Sequence, residues 1–207
     1  MTQSDQPQIY IATPEAFSLA EFPNVLARVL DATQVACLRL DLAGQDEDML
    51  SRAADALREI AHVRDIALVI RDHTVLADRL GLDGVHLTDA HRSVRDARKA
   101  LGADAIVGSF CGTSRHDGMT AGEAGADYVS FGPVGATALG DGNQVQDDLF
   151  AWWSEMIELP VVAEGALDPA AIARLATVTD FLCLGPEIWS TPDPAKALQD
   201  IAKMLDG

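Results

Sequence analysis

Short apolar runs recur along the chain, and segments with the period of an amphipathic helix separate them. The runs fall at residues 8–12, 35–42, 66–72, 84–87, 105–110, 128–132, 160–165 and 181–185. Several end in polar or glycine residues, as a buried parallel strand does where it opens onto a loop. Between the runs the helical period spans 14–32, 46–61, 75–80, 93–101, 120–125, 147–157, 168–176 and 194–205. The segment 46–61 is the clearest, with Leu50, Ala53, Ala54, Leu57 and Ile60 on one face. Gly102 and Gly125 are stop signals, and Asp168 before Pro169 is an N-cap with proline at the first helical position.

Eight strand–helix units in 207 residues predict an α/β protein, a single (β/α)8 TIM barrel forming one domain over residues 1–207. An open doubly wound sheet is the alternative. It fits less well, because Ile11-Ala12-Thr13-Pro14-Glu15 after the first strand carries no glycine fingerprint for a dinucleotide. The one long irregular stretch, 133–146, is rich in glycine and has the length of a lid or binding loop.

Composition narrows this picture. Hydrophobic residues make up 48% of the chain and aromatics only 5%, so the core is expected to be mostly Ala, Val, Leu and Ile. The 32 acidic against 15 basic residues give a net charge of −17, which argues against nucleic-acid or anionic-membrane partners. A small anionic ligand is still compatible, because backbone N–H groups act locally. Cys37, Cys111 and Cys183 are widely spaced, and two sit in apolar runs as small core residues. Their odd number and the lack of a leader-like segment point to a reducing, cytoplasmic setting. No apolar run approaches the roughly 20 residues of a membrane span.

In parallel barrels the chemistry lies at the C-terminal strand ends, which here carry several polar groups. In the second strand, Cys37, Arg39 and Asp41 share one face, and an inward Arg and Asp require pairing or a wet site. An Arg39–Asp41 ion pair at the barrel rim is the purely structural reading. The third strand ends in Arg71-Asp72-His73, with Asp72 expected at the barrel mouth, although Asp72 or His73 could instead cap the next helix. His86 ends the fourth strand in the same layer; a satisfied core histidine is its structural reading. Glu164-Gly165 and Leu184-Gly185 end the seventh and eighth strands, where such barrels usually bind phosphate. Gly165 and Gly185 are therefore the expected phosphate-binding positions, with plain turn glycines as the alternative.

Taken together, Asp83-Gly84-Val85-His86-Leu87, Gly125-Ala126-Asp127-Tyr128-Val129 with Gly132-Pro133, and Pro160-Val161-Val162-Ala163 have a recognisable order and spacing. Over roughly residues 35–190 the chain resembles the thiamine phosphate synthase family, which includes the thiazole tautomerases. The resemblance implies a TIM barrel, a small phosphorylated substrate and Mg2+. It implies a transferase that joins hydroxymethylpyrimidine diphosphate to a thiazole phosphate and releases pyrophosphate. A homo-oligomer is compatible with the same reading.

Carried over by position, the resemblance gives Arg39 and Asp72 catalytic roles, and His86 is read as catalytic from its place in the strand-end layer. Ser109 and Thr137 become substrate-binding, Asp72 and Asp89 become metal ligands, and Asp41 and Glu164, which depart from the family pattern, are expected to be substrate-binding from their place at the acid-rich mouth. Phe110 is the alternative to Ser109, depending on where one residue is inserted. The chain departs from the pattern at several points. The family's Gln-x-Arg-x-Lys is Cys37-Leu38-Arg39-Leu40-Asp41, and its loop lysine is replaced by Gly140. The ungapped counterpart of the second metal carboxylate is His91, which is why Asp89 is considered. The family's strand-8 serine is Pro186, and the tautomerase histidine falls near Gly112, with His116 nearby. Two readings follow. One is a synthase with altered diphosphate contacts. The other is a divergent member without synthase activity that binds a thiazole phosphate or related phosphoester as carrier, regulator or isomerase. A non-enzymatic interaction module is the least supported, because charge runs are usually solvated faces.

Overall fold

The computed structural model describes residues 6–44 and 46–205. Eight parallel strands close a barrel in chain order: β1 (Gln8–Ala12), β2 (Cys37–Leu40), β3 (Ala67–Arg71), β4 (Gly84–Leu87), β5 (Ile106–Phe110), β6 (Tyr128–Phe131), β7 (Val161–Glu164) and β8 (Phe181–Leu184). β8 returns to β1 through the pairs Gln8↔Phe181 to Ile11↔Leu184, so no sheet edge is left open. The protein is thus a (β/α)8 barrel.

The helices follow from local chemistry. Helix α1 is Phe22–Leu30 and α2 is Glu47–His62. The Asp46 side chain accepts from the Asp48 and Met49 N–H groups, and two acids in the first turn of α2 favour its positive end. Leu50, Ala53, Ala54, Leu57 and Ala61 form its buried face. Helix α3 (Thr74–Leu80) stops at Gly81, and α4 (Val94–Leu101) stops at Gly102. Helix α5 (Arg115–Ala124) is capped by Ser114 and ends at Gly125 in the left-handed conformation. Helices α6 (Asp147–Met156), α7 (Pro169–Leu175), the single-turn α8 (Pro186–Trp189) and α9 (Pro194–Leu205) complete the ring.

Three elements differ from the sequence pattern. The expected helix 14–32 shortens to α1, because Thr13 N–H donates to Arg39 C=O and Glu15 C=O accepts from Ala43 N–H. Those bonds hold residues 13–15 over the barrel mouth. Helix α5 begins earlier than 120, because Gly118 gives its first turns no apolar signal; a Cβ there would lie 2.7 Å from the Phe131 ring. The turn α8 is too short to show a helical period.

The core has two layers. Outward-facing residues such as Leu38, Leu40, Leu68, Ile70, Val85 and Val107 pack against the helices. Inside the barrel lie Tyr10, Ala12, Cys37, Val69, Tyr128, Val162 and Cys183. Gly108 makes room there, since a Cβ would meet the Tyr128 ring at 2.0 Å. All three cysteines are buried free thiols.

Candidate active site

The alternation that sends Leu38 and Leu40 outward sends Arg39 and Asp41 into the barrel. Arg39 is level with Ala12 and Val69 in register, and His86 is level with Arg71 and Gly108. The upper ends of the strands therefore bring Arg39, Asp41, His86 and Glu164 together from β2, the residue just beyond it, β4 and β7. All four are buried, between 1% and 7% exposed. They line a cavity of about 1010 Å³ at the C-terminal barrel face.

Arg39 is the hub. Its Nε and Nη2 donate to the two carboxylate oxygens of Asp41, each at 2.9 Å. Nη2 also donates to Glu164 Oε2 at 2.9 Å, and Nη1 donates to His86 Nε2 at 3.0 Å. A guanidinium has five N–H donors and no acceptor. Four of them are committed inside the protein. Because His86 Nε2 accepts, its proton is assigned to Nδ1, which donates to Tyr128 Oη at 2.9 Å. Tyr128 and Tyr10 share a further 2.7 Å hydrogen bond, so the polar chain descends into the barrel.

The electrostatics match this wiring. Burial works against the Arg39 charge, but Asp41 and Glu164 outweigh it and raise its pKa well above the usual value. Burial pushes the His86 pKa down, and the Arg39 charge adds to this, to about 3, so the ring is neutral. Burial pushes the Glu164 carboxyl up, but the Arg39 charge and the hydrogen bonds of Arg39 and Ser130 pull it below its ordinary value. Burial raises the Asp41 pKa above its ordinary value, opposed by Arg39 and by Arg71, which lines the same cavity.

The remaining expected site residues separate into two groups. Asp72, Thr137, Gly165 and Gly185 line the cavity, as does Phe110. Ser109 does not. It sits on the outward face of β5, and its Oγ donates to Ala90 C=O at 2.8 Å. Asp89 also lies outside the lining, with Oδ2 accepting from Ser93 Oγ at 2.5 Å. Asp72 is exposed at the rim, and both its oxygens accept from Thr88, from N–H at 2.7 Å and from Oγ at 2.6 Å. The second Asp89 oxygen, Oδ1, is buried with no hydrogen-bond partner. Among the described residues no cluster of three His, Cys, Asp or Glu is arranged to hold a metal ion.

Three contributors were not read from the sequence. Tyr10 and Tyr128 lie in apolar runs, and the available signal was that a buried tyrosine hydroxyl needs a partner. Glu187 is the third. Its Oε2 accepts from Gly185 N–H at 2.7 Å and its Oε1 from Leu167 N–H at 2.9 Å. A carboxylate of the chain itself thus occupies N–H groups at the ends of β7 and β8. Gly140, on the loop 133–146, lines the cavity in the left-handed conformation (φ +61°), with space for a Cβ only 3.0 Å from the Phe110 ring.

A closed parallel barrel with a buried polar cluster under a large cavity at its C-terminal face is the arrangement of a barrel enzyme. Residues 9–184 match the thiamine monophosphate synthase family. The chain is 39% identical over 203 residues to a thiamine-phosphate synthase of Rhodospirillum centenum, covering 97% of this chain and 98% of that one. It is 37% identical to a thiamine-phosphate synthase of Erythrobacter litoralis, covering 99% of each. In fold it matches the thiamine phosphate pyrophosphorylase from Pyrococcus furiosus with a TM-score of 0.82 at 21% identity, over 96% of this chain and 95% of that one. The chain belongs to the thiamine monophosphate synthase family.

Proposed function

We propose that this protein is a thiamine-phosphate synthase, a transferase of thiamine biosynthesis that couples hydroxymethylpyrimidine diphosphate to a thiazole phosphate. The observation that carries this is near-full-length similarity to relatives bearing that name, combined with a cavity at the catalytic face of the barrel. In the reaction, the bond between the pyrimidine methylene carbon and the diphosphate oxygen breaks. Its electron pair leaves with pyrophosphate, and the thiazole nitrogen lone pair forms the new carbon–nitrogen bond.

The chain's own residues suit the carbon side of this step better than the leaving group. Positive charge develops on the pyrimidine methylene as the diphosphate departs and then resides on the thiazolium ring. A preorganised floor with two carboxylates and one guanidinium stabilises that charge without reorganising. Asp41 and Glu164 hold Arg39, and Arg39 orients the neutral His86 ring. Phe110, Leu139 and Trp189 supply apolar lining that can pack against the rings and exclude water. Substrate partners of this reading are the two small phosphorylated compounds, and buried free thiols fit a reducing cytoplasm. No helix among the described residues is long and apolar enough to cross a membrane.

A specific observation favours a second reading. Glu187 fills the N–H groups at the ends of β7 and β8, and acids outnumber bases in the lining. A member that binds a phosphoester without turnover would show this. Genetic complementation separates the two: a bacterium lacking its thiamine-phosphate synthase grows without added thiamine when it expresses this chain as a synthase. Failure to grow with the chain present as folded protein would reject the synthase reading.

A further inference from the structure

The proposed reaction gives the buried tyrosine pair nothing to do. Tyr10 is 1% and Tyr128 7% exposed, and neither lines the cavity. Burying a hydroxyl costs free energy unless it is bonded, and phenylalanine at either position would avoid that cost. The two hydroxyls instead continue the polar chain that starts at Arg39.

Each proton in that chain has a fixed direction. Arg39 has only donors, so its Nη1 donates and His86 Nε2 accepts, at 3.0 Å. The neutral ring then carries its proton on Nδ1, which donates to Tyr128 Oη at 2.9 Å. Tyr128 has one proton of its own, and it goes to Tyr10 Oη at 2.7 Å. The Tyr10 ring lies under the guanidinium, with Cζ 5.7 Å from its centroid, so the run of contacts returns to Arg39.

The other tautomer is close at hand. An Nε2–H on His86 would face Arg39 Nη1, donor against donor, and would find Glu164 Oε1 3.9 Å away. Tyr128 Oη supplies an acceptor on the Nδ1 side, which weights the ring towards the tautomer that Arg39 needs. We infer that Tyr128 is a positioning residue: its hydroxyl holds His86 in the Nδ1–H tautomer, and His86 in turn anchors the Arg39 guanidinium in the cavity wall. Tyr10 completes the chain by accepting the Tyr128 proton. Asp41 and Glu164 fix the Nε and Nη2 side of the guanidinium, and His86 fixes the Nη1 side. A guanidinium held at all three nitrogens meets a substrate without reorganising.

The experiment is 1H–15N NMR of the imidazole and guanidinium groups in the full-length, 15N-labelled protein. The wild type is expected to show His86 with a protonated Nδ1 and a bare Nε2, and resolved Arg39 Nη signals. In Tyr128→Phe the Nδ1–H loses its acceptor, so His86 is expected to shift to the Nε2–H tautomer and the Arg39 Nη signals to merge. Tyr10→Phe, which frees the Tyr128 proton to turn towards Nδ1, is expected to shift the tautomer in the same direction and serves if Tyr128→Phe does not fold. Val162→Ala thins the same inner layer without touching the chain and is expected to keep the wild-type pattern. A packing role alone would leave the tautomer alike in all of these proteins and would overturn the inference. A protonated Nε2 in the wild type would overturn it without any variant. The kinetic arm rests on the synthase reading: kcat of Tyr128→Phe is expected to fall about ten-fold, the effect of one lost hydrogen bond, with KM for both substrates within about two-fold. An unchanged kcat in folded Tyr128→Phe would remove the positioning role. Absence of turnover in the wild type would reject the synthase reading and leave the tautomer to decide this inference, so the two fail separately.

Discussion

Arg39 and Asp41 form a bidentate ion pair inside the barrel, with two parallel hydrogen bonds of 2.9 Å. Both side chains are less than one-tenth exposed. The pair is not an isolated rim contact, because the same guanidinium holds Glu164 and His86. Arg39→Met would leave two buried carboxylates without their counter-charge. Breaking a buried pair by removing one partner costs about 3–5 kcal/mol. Urea unfolding is expected to show a loss of that size, and a change below about 1 kcal/mol would mean that Arg39 is not the hub.

The depressed pKa of His86 fixes a pH dependence. Its ordinary value is 6.5 and its folded value is about 3. Between these values the unfolded chain binds a proton at this site and the folded chain does not. Stability is therefore fully present above about pH 6.5 and falls as the pH drops towards 3, by up to about 1.4 kcal/mol per pH unit. Glu164, whose pKa is also lowered, adds a further loss below the ordinary carboxylate range. In His86→Gln the decline between pH 6 and pH 4 should be shallower than in the wild type. Equal slopes would contradict the buried neutral imidazole.

Glu187 predicts a gain of binding. Its carboxylate takes the Gly185 and Leu167 N–H groups, where it would repel an incoming phosphate. Opposed unit charges at 4 Å and moderate dielectric interact by about 4 kcal/mol, and like charges repel as strongly. Partial screening reduces this, so Glu187→Gln is expected to tighten inorganic phosphate binding about ten-fold, or about 1.4 kcal/mol. Phosphate titration of the two proteins is the check, and unchanged affinity would show that the carboxylate does not compete.

Gly140 stands where the family resemblance places a lysine, but its backbone does not invite one back. A side chain there meets the left-handed φ and the nearby Phe110 ring. Gly140→Lys is expected to destabilise the protein by about 1–2 kcal/mol and not to raise synthase activity. Thermal unfolding and an activity assay would check both parts. A several-fold gain in activity would show that the loop rearranges to present the lysine.

The barrel was legible because each of its strands is marked by a short apolar run and most of its helices by a clear period. Arg39, Asp41, His86 and Glu164 were legible as polar residues in inward or strand-end positions. What they do to one another was not. One of the Arg39 hydrogen bonds goes to Glu164, 125 positions away in the chain. Ser109 was drawn in by a one-residue ambiguity, and a shift of one residue in a strand moves a side chain to the other face. Phe110, one position on, is the residue that lines the cavity. Glu187 was hidden because α8 is one turn long and its bonds to Leu167 and Gly185 are set by how two loops meet.

The most direct measurement is a single-turnover reaction of purified protein with hydroxymethylpyrimidine diphosphate, thiazole phosphate and Mg2+, with both products quantified in the same samples. Thiamine phosphate and pyrophosphate appearing in equal amounts is the predicted result. No thiamine phosphate at enzyme concentrations matching the substrates would contradict the assignment and leave a phosphoester-binding barrel with a different task.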